Sequence, residues 1–209
     1  MRDTPIRAVS LVVEALEARG VSAEPLLRDV SFTLADVRDL RGRIPWAEFI
    51  QVMTNLEELV GGLDQVAELG RTMVRFPSYL LLRDVSRIAV SPRLLHRMGF
   101  RFVAPLFFPH LQIGWTDLPD GRFVLDARVP ESMPMVPAFY YVFAGTLAGV
   151  STLVGDPFAE VDVELVGKRA RITVALVRSK RSVVERLTRL ARAARELPRV
   201  AIELDLHRS

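Results

Sequence analysis

In the first half of the chain, apolar residues recur every three or four positions, which predicts a series of short amphipathic helices. The clearest helix follows Pro45 and ends at Gly61, and its apolar stripe consists of Trp46, Phe49, Ile50, Met53, Leu56, Leu59 and Val60. Thr33 and the Ser91-Pro92 pair have the residue types that begin helices. Residues 41–45, RGRIP, are predicted to connect two helices. We therefore expect residues 1–108 to be helical.

From His110 onward the spacing changes to an alternation of apolar and polar residues, which is typical of half-buried strands. Two hairpins are predicted, one on each side of an uncharged segment at 132–155. The first hairpin turns at Pro119-Asp120-Gly121 and the second at Gly167-Lys168. The predicted fold is α+β: a helical N-terminal half, then a β-β-α-β-β antiparallel sheet unit with a buried central helix, and a C-terminal connector helix.

The uncharged segment is long enough to cross a membrane, which takes about 20 apolar residues. Its prolines at 134 and 137 suit the first turn of a helix, and several hydroxyl groups lie along it, so a soluble core helix is the favoured interpretation. Gly145 and Gly149 share one helix face. We expect this smooth face to approach the sheet closely.

The composition excludes several kinds of chemistry. The chain has 209 residues and no cysteine, so disulfides, thiolate metal sites and cysteine nucleophiles are excluded. The net charge is +3 and the isoelectric point about 9.8, but over most of the chain the arginines alternate with acidic residues. The N-terminus lacks the apolar core and cleavage site of a secretory signal, so a cytoplasmic location is expected.

The C-terminal residues 179–209 are predicted to form a connector helix followed by a strand-like tail at 199–207. The helix carries a short heptad seam at Val183, Leu187, Leu190, Ala194 and Leu197. Such a seam favours a homodimer, with the arginines of this helix in solvent. No nucleic-acid-binding module is recognisable, and no direct nucleic-acid or membrane binding is expected. Residues 1–178 are then one sensory or ligand-binding domain, with a helical part at 1–108 and a sheet part at 109–178.

Catalytic and phosphate-binding motifs are absent from the sequence, and its three histidines lie in different predicted elements. His96 is the candidate haem ligand, because one helical histidine can hold haem iron. Its arginine neighbours, however, favour a solvated helix edge, so no metal and no cofactor are expected and haem is disfavoured. The residues expected to line a pocket between the central helix and the sheet are Phe107, Trp115, Phe139, Tyr140 and Phe143.

The order of these elements resembles that of known sensory domains. The segments that carry the resemblance are RGRIPWAEFIQVMTNLEELVGGLDQVAELGR, SPRLLHRMGFRFVAPLFFPHLQIGWTDLPDGRFVLDARVPES and AFYYVFAGTLAGVSTLVGDPFAEVDVEL. They resemble the N-terminal input domains of bacterial histidine kinases, which are similar in layout to haem-NO-binding and vinyl-reductase-like domains. The first third also resembles the effector domain of AraC-type regulators. The resemblance implies a helical cap, a β-β-α-β-β unit and a pocket between them, but the tyrosine-serine-arginine motif that holds haem propionates is absent.

These observations predict a non-enzymatic cytoplasmic sensory domain of a bacterial signalling protein. It would bind a small apolar or aromatic ligand and pass the signal through the C-terminal helix. The alternatives are the effector-binding domain of an AraC-type transcription regulator and a dimerisation or interaction scaffold with a filled core. An enzyme on the same frame would instead require polar, titratable groups that converge in a cleft.

Overall fold

The computed structural model describes residues 2–76, 79, 86 and 91–177, with only the backbone of residues 2 and 3. The helices are α1 (Arg7–Glu17), α2 (Leu34–Asp39), α3 (Trp46–Val60), α4 (Leu63–Met73), α5 (Pro92–Met98), α6 (Ala104–Phe107) and α7 (Pro137–Val150). A π-helical turn at Gly99–Val103 joins α5 to α6, and 3-10 turns lie at Glu24–Leu27 and Ser151–Val154. The strands are β1 (Arg2–Pro5), β2 (Arg43–Pro45), β3 (Gln112–Asp117), β4 (Phe123–Arg128), β5 (Glu160–Val166) and β6 (Arg169–Ala175).

The predicted caps explain where two of the helices begin. Thr33 accepts a hydrogen bond from the backbone N–H of Asp36, whose carboxylate in turn accepts from the N–H of Thr33. This reciprocal capping box satisfies two backbone donors at the start of α2. Ser91 accepts from the N–H of Leu94 at 3.2 Å, with Pro92 in the first turn of α5.

The N-terminal part differs from the prediction in one respect. Residues 43–45, predicted as a connector, form β2, which pairs antiparallel with β1. Thr4 and Pro5 have the residue types that begin a helix, but Thr4 lies in β1 and is fully buried. A strand of three residues that ends in proline has too few positions to show an alternation.

The predicted β-β-α-β-β unit is confirmed. The two hairpins form a four-stranded antiparallel sheet in the order β3-β4-β6-β5. In β4 and β6 one face is fully buried, with Phe123, Leu125, Ile172 and Val174 all unexposed. β5 alternates acidic exposed residues with half-buried valines and leucine, as expected for a strand at the edge of a sheet.

The central helix α7 is buried, but its closest partner is helix α4 rather than the sheet. A Cβ atom built on Gly145 would lie 1.9 Å from the carbonyl oxygen of Ala67, and one on Gly149 would lie 2.4 Å from that of Arg71. The expectation that these glycines face the sheet is therefore wrong. They allow two helix backbones to touch.

One helical stretch, 137–154, is long and apolar enough to span a membrane. Two-thirds of it, 67%, is buried inside the protein, which is how the core helix of a soluble domain behaves. Ser78 and the apolar residues Leu81, Leu82, Val85 and Ile88 have the spacing of a further helix, but that stretch, apart from Tyr79 and Ser86, lies outside the described residues. So do the dimer seam at 183–197 and the strand-like tail at 199–207.

Candidate functional site

A cavity of about 90 Å³ lies inside the helical part, between α1, α3, α5 and α7. Six phenylalanines contribute to its wall: Phe49, Phe100, Phe107, Phe108, Phe139 and Phe143. Among the described residues that line it, only Tyr79, His96 and Thr146 have polar side chains. An apolar cavity with a few polar groups is the usual form of a small-molecule site.

His96 is the most buried polar group of this wall, with 1% of its surface exposed. Its Nδ1 lies 2.8 Å from the carbonyl oxygen of Pro92, and its Nε2 lies 3.0 Å from that of Leu147. The ring therefore bridges α5 and α7. The prediction that His96 lies at a solvated helix edge is wrong.

The two carbonyl partners of His96 compete for its protons. Carbonyl oxygens only accept, and a neutral imidazole has one N–H, so a neutral ring can donate to only one of them. Burial lowers the pKa of His96, while the hydrogen bonds to Pro92 and Leu147 act in the opposite direction. We assign burial the larger effect, so the ring is neutral near pH 7 and one of its two contacts lacks a proton.

Tyr79 and Thr146 form a second polar pair in the wall. The two side chains are hydrogen-bonded to each other, and Thr146 also reaches the carbonyl oxygen of Gly70 at 3.5 Å. Tyr79 is half-buried as a residue, but its hydroxyl points inward, and burial raises its pKa. The phenol is therefore neutral at any physiological pH.

The arginines beside His96 point away from the cavity. Arg93 and Arg97 both pair with Asp117 at the end of β3, and Trp115 donates its Nε1–H to the same carboxylate at 3.0 Å. The hydrogen bond from Trp115, with burial opposing it and the two arginines assisting, keeps the pKa of Asp117 below its usual range. This cluster fixes α5 to the first hairpin from outside.

The five residues predicted to line a pocket separate into two groups. Phe107, Phe139 and Phe143 lie in the cavity wall. Trp115 instead stacks on Phe123, with ring centroids 4.1 Å apart, over the outer cluster. Tyr140 faces the second hairpin and donates to the carbonyl oxygen of Lys168 at 2.7 Å, and burial raises its pKa to about 12.

Tyr79, Thr146 and the buried position of His96 were missed from the sequence. For His96 a signal existed: Phe100 and Val103 follow at spacings of four and seven, which place the ring on the apolar face of its helix. Tyr79 had no comparable signal. Within the part of the chain that the structure describes, no three metal-binding side chains come together.

No family model and no curated protein matches this sequence. Solved structures do match its fold. The Fe(II) unliganded H-NOX protein from K. algicida shares 10% identity at a TM-score of 0.58, over 87% of this chain and 100% of that one. An Fe(II) H-NOX triple mutant from S. oneidensis shares 14% sequence identity at a TM-score of 0.58, and the match covers 85% of this chain and 97% of that one. The Fe(II)NO form of an H-NOX protein from S. oneidensis shares 12% identity at a TM-score of 0.51, over 81% of this chain and 90% of that one.

At such identities the likeness shows the fold alone: the chain has the fold of H-NOX, or haem-NO-binding, domains. The predicted similarity in layout to those domains is confirmed. The expectation of no cofactor, with haem disfavoured, is contradicted, because the structural neighbours are H-NOX proteins, several of them described as ferrous.

The residues of this site meet one requirement of a haem pocket and fail three others in the arrangement seen. His96 has the chemistry of an axial ligand: a buried imidazole in an apolar wall. Its Nε2, however, is held by the carbonyl of Leu147, and a cavity of about 90 Å³ is smaller than the roughly 300 Å³ at which pockets for larger ligands begin. Arg93 and Arg97 are engaged by Asp117 outside the cavity. Haem does not fit unless α5 and α7 move apart.

Proposed function

We propose that this chain is a sensory domain of a signalling protein and that its ligand occupies the cavity beside His96. The observation that carries the proposal is the juxtaposition of an apolar cavity with a buried histidine that bridges two of its helices. A ligand in the cavity contacts α5 and α7 at once. It can therefore favour one relative position of these helices over another, which is what a sensor requires.

The first candidate ligand is a small apolar molecule. The wall is aromatic and aliphatic except for three polar side chains, so burial of apolar surface supplies the affinity and the polar groups set orientation. The domain on this proposal is non-enzymatic. The polar side chains of the described wall are the neutral imidazole of His96 and the hydroxyls of Tyr79 and Thr146, which bond to each other or to backbone. None of these three groups is an activated nucleophile.

The second candidate is haem, which two observations favour: the H-NOX fold and the place of His96 in the wall. His96 is the residue that would hold the iron, and a bound haem would supply the capacity to bind a diatomic gas. For this, Nε2 must give up the carbonyl oxygen of Leu147.

One experiment separates the candidates. The full chain is expressed with added haem precursor, purified, and examined by absorption spectroscopy and native mass spectrometry. A Soret band that is lost in His96→Ala supports haem. A retained small molecule, or a thermal shift with small apolar compounds that is lost when Ala8→Leu fills the cavity, supports the first candidate. If the unmodified chain shows neither a Soret band nor a bound or stabilising small molecule, both candidates are contradicted and the scaffold interpretation is favoured.

Finer features of the proposal go beyond the fold. A cytoplasmic location, a bacterial histidine kinase or an AraC-type regulator as the parent protein, and a homodimer through the 183–197 seam all stay predictions. The dimer is tested by sedimentation of the unmodified chain against Leu187→Glu, which places a charge in the seam.

A further inference from the structure

We infer that the outer face of strand β5 is the docking surface for this chain's own arginine-rich segment, residues 178–195. The surface consists of three exposed acidic side chains, which we call the acidic row: Glu160, Asp162 and Glu164. The inference concerns the sheet part and does not depend on a ligand in the cavity, so it goes beyond the proposed function.

The acidic row lies on the side of the sheet that faces away from the cavity. The inner face of the sheet packs against the helices, as the ring contact between Phe123 of β4 and His96 of α5 shows, with centroids 5.4 Å apart. In β5 the half-buried valines and leucine share this inner face, so the acids that alternate with them point outward. The three acids are two residues apart, and the row is about 13 Å long.

The neighbouring strand β6 leaves much of this negative charge uncompensated. Two members of the acidic row lie opposite the uncharged Thr173 and Ala175. The third lies opposite Arg171, whose Nε contacts the carboxylate of Asp126 at 3.7 Å. Because like charges side by side repel each other, the row favours a partner that brings several cations.

The segment 178–195 has the charge and the length that the acidic row requires. It contains one acid and seven cations: Arg178, Lys180, Arg181, Arg186, Arg189, Arg192 and Arg195. In the predicted helix, a rise of about 1.5 Å per residue spreads the last four arginines over about 13 Å, the length of the row. Arg189 and Arg192 fall on the side away from the predicted heptad seam, so docking leaves the seam free for a second copy.

The path of the chain brings this segment to the acidic row. Strand β6 ends at Ala175, which is paired with Glu160, and Arg178 follows within about 10 Å along the chain. A segment tethered so closely has an effective concentration in the millimolar range, which offsets the weakness of single exposed ion pairs. We therefore assign the surface to the segment of the same chain rather than to a second copy.

The burial of Val124 is a second, independent observation. Its neighbours Phe123 and Leu125 point to the inner face, so its own side chain lies on the outer face together with the acidic row. It is nevertheless only 8% exposed, although α5 and α7 pack on the opposite face. A segment that lies across the outer face provides a cover for this valine.

Docking on β5 would also connect the segment to the cavity. Ala159, directly before β5, donates its N–H to the carbonyl oxygen of Ala148 in α7 at 3.0 Å. The neighbouring Leu147 lines the cavity. A displacement of α7 by a ligand would therefore reach β5 and, through the acidic row, the C-terminal segment.

A distance measurement by double electron–electron resonance tests the docking. The chain has no cysteine, so spin labels attach only to introduced ones. Val166→Cys labels the end of β5, where the residue is 67% exposed, and Thr188→Cys labels the segment; neither change removes a charge. The doubly labelled full chain is diluted with unlabelled chain, so that only distances within one chain are seen. We expect one narrow distance distribution.

Neutralising the acidic row should release the segment. In the triple variant Glu160→Gln, Asp162→Asn and Glu164→Gln we expect the distribution to broaden, with the ratio of docked to undocked chains lowered by about ten-fold. Salt at 1 M should act in the same direction, because it screens charges beyond about 3 Å. The matched control removes three exposed acids elsewhere and should keep the narrow distribution: Asp39→Asn, Asp64→Asn and Glu131→Gln.

Exchanging the charges separates docking from folding. Arginine at all three positions of the acidic row should abolish the narrow distribution. Combining that variant with three opposite changes in the segment should restore it: Arg186→Glu, Arg189→Glu and Arg192→Glu.

The outcomes separate this inference from the proposed function. A broad distribution in the unmodified chain, or a narrow one that neutralisation of the acidic row leaves unchanged, would overturn the docking. A narrow distance that disappears on dilution with unlabelled chain would identify a second copy as the occupant and overturn the assignment to the same chain. None of these results affects the cavity, whose role is tested by ligand binding.

Discussion

The contact between α4 and α7 holds the polar wall of the cavity in place, and Gly145→Ala tests it. A Cβ at this position would lie 1.9 Å from the carbonyl oxygen of Ala67 and 3.1 Å from its Cα. Real Cβ atoms essentially never approach a heavy atom within 3.0 Å, so the two helices must separate by more than 1 Å. The neighbouring residues Thr146 and Leu147 would move with α7.

Two opposing effects set the magnitude. Overpacking a tight contact costs about 1–3 kcal/mol, and the obstacle here is backbone, which cannot rotate aside, so the cost lies near 3 kcal/mol. Alanine in place of glycine within a helix returns about 1 kcal/mol. We expect Gly145→Ala to lower the free energy of unfolding by about 2 kcal/mol.

Urea unfolding followed by circular dichroism measures this change as a lower midpoint at an unchanged slope. Gly114→Ala is the matched control, because its new Cβ meets nothing closer than the Cβ of Asp126 at 3.7 Å. The control should leave the midpoint unchanged or raise it slightly. A Gly145→Ala chain as stable as the unmodified one would refute the close contact, and with it the way the cavity wall is positioned.

Three further predictions concern single side chains. Because the pKa of His96 is lowered in the folded state, its contribution to the free energy of unfolding should be constant above about pH 6.5 and should fall below that pH by up to about 1.4 kcal/mol per pH unit. Unfolding measured at a series of pH values should show this slope flattened in His96→Gln and kept in His110→Gln. Asn55, 3% exposed, donates to two backbone carbonyls at 3.0 and 2.7 Å, so Asn55→Ala should lower the free energy of unfolding by about 2–3 kcal/mol in urea. Thr33→Ala removes the capping box of α2 and should cost about 1 kcal/mol in the same assay, whereas Thr33→Ser should cost little; equal midpoints for the two variants would contradict the cap.

The hairpins could be predicted from the sequence because their signals are local. Alternation in 112–117 and 123–128 identifies two strands, and Pro119-Asp120-Gly121 between them identifies the turn. Antiparallel neighbours joined by such a turn must pair. The β1–β2 pair had no such signal, because its strands are very short and residues 6–42 lie between them along the chain.

The partner of the central helix could not be predicted. Gly145 and Gly149 indicate that another backbone approaches closely, but a helix face of glycines fits against a sheet or against a helix equally well. The choice of α4 depends on Gly70 and Ala67, which lie about 75 residues earlier and read as ordinary helix residues. Long-range complementarity of this kind is visible only in three dimensions.

The cavity was predicted in part for the same reason. Phe139 and Phe143 belong to the aromatic end of the central helix, where a pocket was expected, and both lie in the cavity wall. Tyr140, between them in sequence, faces the second hairpin, because adjacent residues of a helix point about 100° apart. The pocket was expected between helix and sheet, whereas its wall is built from helices.

A structure of the full chain with a bound ligand tests the central claim most directly. Crystals grown with the molecule that the protein retains on purification, or soaked with a small apolar compound that shifts its melting temperature, should show density inside the cavity, between Phe143 and the wall that Tyr79 and His96 form. Density at saturating ligand that lies only on the protein surface, with the cavity unchanged, would contradict a sensory site beside His96.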